Sequence, residues 1–207
     1  MLNTHLAARG ELLAWRDVNP LDFEADFDAA LALYGTAAEH VCARLECTAE
    51  TLLDGTADSP LPCVRLATHD LDRFKYWIGL PDDYVVSGKA LAERTRPAAP
   101  CSARHEHPRA RLTASERHDL DLAAGCYLFG DSVAVRDYKR AIELRLAPFD
   151  LMLYAVDTLV LHPGGRLLVD GPPSVLLART IELHEGATLD LRTVTRVVTD
   201  TFRKICA

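Results

Sequence analysis

Cys101, His105, His107 and His118 form the pattern C-x3-H-x-H-x10-H. Thiolate sulfur and imidazole nitrogen are ligands that zinc prefers, and four of them close a tetrahedral site. The spacing matches no standard zinc module. The surrounding segment is also simply rich in Arg, His, Pro and Ala, so a solvated loop is the competing reading. Zinc is the one cofactor the sequence leaves open; none other is expected.

His162 and His184 stand 22 residues apart in nearly identical surroundings. On stacked strands about 4.8 Å apart the two imidazoles would be neighbours. Arg136 is expected beside them on the preceding strand, giving a ladder that could bind an anion or respond to pH. Outward residues repeated by duplication are the plainer explanation. Phe74, Tyr76 and Trp77 make the main aromatic cluster. Aromatics concentrate at interface hot spots, although the same residues equally serve a domain core. Nucleophilic and nucleotide chemistry find no support, because no G-x-S-x-G, Walker loop or G-x-G-x-x-G occurs.

These residues need elements to position them. Residues 3–17 read as an amphipathic helix, closed by Asn19-Pro20. Residues 21–47 have apolar side chains at helical spacing, with Gly35 as a breaking point. Residues 93–119 have almost no large apolar side chain and read as a linker or exposed loop. The expected organisation is an α-rich region over residues 1–92, that linker, and a repeat domain over residues 120–207.

The repeat rests on three segments, at residues 127–149, 153–173 and 176–195. In the last two, Thr158 meets Thr180, Leu161 meets Leu183, His162 meets His184, Gly164 meets Gly186 and Leu167 meets Leu189. Period-2 alternation inside a repeat of about 22 residues points to coils of short strands. One coil cannot bury its own apolar face, whereas stacked coils bury each other's. The expected fold class is therefore α+β, an α-rich N-terminal region followed by a short parallel β-solenoid of about three coils. An antiparallel β-sandwich is the alternative. The segment resembles a parallel β-helix, in the broad sense of adhesins, polysaccharide-processing enzymes and bactofilin-type filament proteins.

Composition bounds the rest. Of the net charge of −7, the acidic share sits early: residues 1–100 hold 9 Lys and Arg against 16 Asp and Glu, while residues 126–207 hold 10 of each. No cation cluster of the kind a phosphate backbone needs is present, so nucleic acid is not an expected partner. No apolar run reaches the roughly 20 residues of a membrane span, and the start lacks a signal-peptide pattern. A cytoplasmic location with six free thiols is expected. The expected function is a non-enzymatic structural, assembly or protein-interaction protein that self-associates through its solenoid ends. A saccharide-acting enzyme is the first alternative, with Glu143, Glu182 and Asp190 as candidate carboxylates. A toxin, effector or defence component is the second.

Overall fold

The computed structural model describes residues 27–80, 82 and 99–206. The expected helix at residues 3–17 lies outside them. The described residues contain both helices and strands, so the molecule is of α+β type. They divide into two compact units. One takes the described residues up to Leu66 together with those from Asp150 onward; the other runs Ala67–Phe149.

The first unit opens with helix α1 (Phe27–Leu33), whose buried face is Phe27, Ala30 and Leu31. Gly35 ends it with φ +64, the left-handed region that glycine enters at no steric cost. Strands β1 (Cys42–Cys47), β2 (Glu50–Leu53) and β3 (Cys63–Thr68) follow. After the second unit come β4 (Phe149–Leu161), β5 (Arg166–Val169), β6 (Ser174–His184), β7 (Thr188–Leu191) and β8 (Thr195–Ile205). From β4 to β8 the chain alternates between two sheets. One has the order β1-β4-β6-β8, with β3 also paired to β4; the other has the order β2-β5-β7.

The pairings β1–β4, β4–β6, β6–β8, β2–β5 and β5–β7 are all parallel, which excludes the antiparallel alternative for these strands. Leu159 pairs with Ile181 and Leu161 with Leu183, the 22-residue offset seen in the sequence. Ile181 then pairs with Phe202, an offset of 21. Tyr154, Val156, Leu159 and Leu161 all enter the core between the sheets. Their spacing changes parity at Asp157-Thr158, so two successive outward residues mark a corner within β4. The same change recurs in β6, where Leu176 and Ala178 are followed by Ile181.

Two sequence expectations about boundaries are corrected. The region expected to be α-rich supplies β1 and β2, which pair with strands more than 100 residues later. The first repeat segment, residues 127–149, is largely helical. The helical unit comprises α2 (Leu71–Ile78), α3 (Ala103–Glu106), α4 (Ala114–Phe129), a 3-10 turn at Val133–Tyr138 and α5 (Lys139–Leu146). Val135, Tyr138, Ala141 and Ile142 are its buried residues there, a spacing of three and four that belongs to a helix rather than a strand. The described part of the expected linker is ordered as α3 and the start of α4. Thr113 and Glu116 close a reciprocal capping box that starts α4.

Candidate functional site

The outward positions of the parallel sheets place charged and imidazole side chains in columns, one residue per strand. In the first column, His162 and His184 stack with ring centroids 5.4 Å apart and planes at 21°. That neighbour relation is the one expected from the sequence. Glu46 of β1 belongs to the neighbouring column, level with Val160, and its Oε2 reaches to 3.6 Å from His162 Nε2. Arg44 donates to Glu46 at 2.6 Å and holds its carboxyl below the usual carboxylate range, with His162 adding to the effect.

Arg136 is not in this column. It lies in the helical unit, on the 3-10 turn, with Asp137 at 3.9 Å and both side chains largely exposed. The strand preceding β4 in the sheet is β1, contributed from far upstream, and from it Glu46, rather than Arg136, approaches His162.

Three arginines organise the other columns. Arg179 of β6 reaches Asp157 of β4 at 2.7 Å and Asp200 of β8 at 3.8 Å, one strand to either side. It also reaches Asp28 of α1 at 2.9 Å and stacks 4.6 Å over the Phe27 ring. The Phe27 amide donates to Asp200 at 2.7 Å. This corner therefore anchors α1, which packs on β6 and β8. Arg166 of β5 pairs with Glu50 of β2 at 3.2 Å and with Asp190 of β7. Arg203 of β8 pairs with Glu182 of β6 at 3.5 Å.

The carboxylates considered for saccharide chemistry are thus dispersed. Glu182 sits in the four-strand succession, Asp190 in the other sheet with Arg166 and Arg192 as partners. Glu143 belongs to α5, where it accepts the Leu71 amide at 3.2 Å at the start of α2. Glycoside hydrolysis needs two carboxyl groups within about 10 Å of each other flanking one bond; these three serve separate local partners.

The zinc candidates are used differently as well. His105 is buried, and its Nδ1 accepts from the Ser102 amide at 3.1 Å. That assignment leaves Nε2 as the protonated nitrogen, donating to the Glu116 carbonyl at 3.1 Å. Both ring nitrogens are committed to the fold. Arg145, a residue the sequence did not single out, donates to the carbonyls of Arg104, His105 and His107 and pins the end of α3. Burial pushes the Cys101 thiol up, with Glu106 and Asp137 adding to it. His118 lies on α4 and His107 follows α3. Among the described residues no group of three or more His, Cys, Asp or Glu side chains is gathered to hold a metal ion.

Of the aromatic cluster, Phe74 and Trp77 are buried, Phe74 stacking 5.1 Å from Phe149 and Trp77 lying under Arg73. Tyr76 alone of the three is exposed. Helical spacing explains this, since positions 74, 77 and 78 share the inward face of α2 and position 76 faces away. Close by, Asp72 accepts from Lys139 and from the Tyr127 hydroxyl, each at 2.5 Å. Lys139 first, and Tyr127 second, hold the Asp72 carboxyl below its ordinary range. Thr113 does the same for Glu116.

Both depressed carboxyls bind fewer protons in the folded than in the unfolded chain, so their stabilisation is present above the unfolded pKa of about 4 and is lost as pH falls through and below it. Thermal midpoints recorded between about pH 7 and pH 3 are expected to drop in that lower range. Asp72→Asn should flatten the drop; an unchanged profile in that variant would remove Asp72 from the account.

The molecule is thus defined as an α+β protein with two parallel sheets and a helical unit inserted between β3 and β4. No helix among the described residues is long and apolar enough to cross a membrane. Compared with known proteins, the chain matches no family model, no curated relative and no solved structure.

Proposed function

We propose that this chain is a non-enzymatic interaction protein built on a short parallel β-solenoid, and that it assembles with further copies through the ends of its sheets. The observation that carries this reading is the use made of the outward charges. Arg166, Arg179 and Arg203 join neighbouring strands, and the carboxylates that gather on the sheets are bound to them: Asp28, Asp157 and Asp200 around Arg179, Glu50 and Asp190 around Arg166, and Glu182 with Arg203. Such columns stiffen a stack of strands and leave little for turnover of a substrate. A second support is the succession β1-β4-β6-β8, which ends on strands whose outer edges no described strand pairs. Open edges are where β-sheets recruit further strands. The free thiols of the described cysteines fit the same reading.

Native mass spectrometry of the purified full chain tests the proposal. Masses of two or more copies without bound metal are expected. Monomer alone at every concentration, or monomer carrying one zinc ion, would sink it.

A further inference from the structure

We infer that the outer edge of β8 pairs in parallel with the outer edge of β1 from a second copy, so that copies stack head to tail. This rests on the assembly reading above and names its junction. The columns of the sheet make the argument. Leu45, Leu159, Ile181 and Phe202 form one inward column, and Glu46, Val160, Glu182 and Arg203 form the outward column beside it. Continuing the register by one strand brings Leu45 of the second copy onto Phe202, and Glu46 of the second copy beside Arg203.

Both meetings repeat what the molecule already does inside itself. Phe202 is only partly buried, as are Leu183 and Leu189 nearby, whereas Leu45 and Cys47 at the opposite end of the sheet are buried. Apolar surface is therefore left open at the β8 end, while Leu45 is already covered within its own chain, so backbone pairing and charge carry the junction. The charges follow the same rule. Arg179 has a carboxylate on the strand to either side, Asp157 and Asp200, and Arg166 likewise has Glu50 and Asp190. Arg203 has Glu182 on one side only, because β8 is the last strand of its sheet. Glu46 of the next copy, which in its own chain is paired with Arg44 and lies 3.6 Å from His162, supplies the missing carboxylate. Its own position is exposed, and at the β1 edge it has no strand beyond it among the described residues.

Lys204 sets a limit on the junction. It occupies the inward column after Cys47, Leu161 and Leu183. An inward-pointing charge on an edge strand is a known brake on edge-to-edge growth. The long aliphatic stem can lie on apolar surface with its ammonium in water, so the brake weakens stacking without forbidding it. A junction made by pairing one strand edge with another is a small contact, so association is expected to be concentration-dependent. A head-to-tail contact does not close on itself and gives a ladder of masses rather than one oligomer.

Charge exchange tests this on the full chain by sedimentation velocity across a concentration series. Arg203→Glu and Glu46→Arg are each expected to weaken association by about tenfold or more, because like charges then face each other across the junction. Mixing the two variants restores association, since the Glu at position 203 of one copy meets the Arg at position 46 of the other. A merely misfolded variant gives no such recovery. Lys204→Leu is expected to shift the wild-type ladder to lower concentration. Oligomers that survive both single substitutions, or single variants that fail to recover on mixing, overturn this junction while leaving assembly by another surface. Wild-type monomer throughout overturns the junction and the assembly reading together.

Discussion

Gly165→Ala is expected to destabilise the parallel-sheet unit by ~3 kcal/mol or more, near the upper end for a single added methyl. The reason is the length of two successive turns. Cys47 is in register with Leu161, and Glu50 with Arg166. The turn from β1 to β2 has two intervening residues and the turn from β4 to β5 has four, so the longer turn folds across the shorter one. The His162 amide donates to the Cys47 carbonyl at 3.0 Å. A Cβ on Gly165 would overlap that carbonyl oxygen, and would lie 2.9 Å from its carbon and 3.0 Å from the His162 oxygen. These are backbone atoms held by the ladder and cannot step aside.

The equivalent position in the next turn is Ala187, where both turns have four intervening residues, 162–165 and 184–187, and the side chain is accommodated. Gly164→Ala provides the control. Its φ is +77 but nothing lies within 4 Å of the added atom, so only the left-handed penalty of about 1–2 kcal/mol applies. Urea unfolding followed by circular dichroism separates the two. Equal losses at positions 164 and 165 would refute the turn-length explanation.

Tyr154→Ala is expected to cost ~3–5 kcal/mol, the range for deleting a large buried aromatic ring. Tyr154 is fully buried in the core between the sheets, beside Leu176 and Val156. Its hydroxyl lies near the Gly55 backbone without completing a hydrogen bond, and burial pushes the phenol up to about 12. A buried hydroxyl without a partner costs about 1–3 kcal/mol. Tyr154→Phe keeps the ring and removes that cost, so it should match or exceed the wild type in stability. The pair of variants separates packing from polarity: both losing stability would mean that the hydroxyl has a partner after all. The same unfolding experiment serves.

Legibility followed the range of the interactions. The equivalence of Thr158 with Thr180, and of His162 with His184, could be read because both members sit in copies of one local pattern. Thr158 pairs with Thr180 in the sheet, and the two imidazoles stack just beyond the last paired residues. Glu46 could not be found this way. The strand that carries it has no visible copy of the repeat, shares neither the histidine nor the turn glycines, and reaches its place from more than 100 residues away. Residues 127–149 misled in the opposite direction, since short apolar alternation over a few positions resembled a strand until the three-and-four spacing of Val135, Tyr138, Ala141 and Ile142 was set against burial. Arg145 was invisible because a side chain that caps three carbonyls leaves no periodic mark.

By itself, then, the sequence determined the α+β composition, the 22-residue offset, the turn glycines and the stacking of the two histidines. Each follows from local rules of side-chain alternation and backbone freedom that neighbouring residues enforce. Only the tertiary structure decided which strand precedes β4, that Glu46 rather than Arg136 approaches His162, and that His105 belongs to the packing of the helical unit. Parallel pairing joins segments with no sequence proximity, and its register is chosen by the burial of whole columns at once rather than by any residue alone.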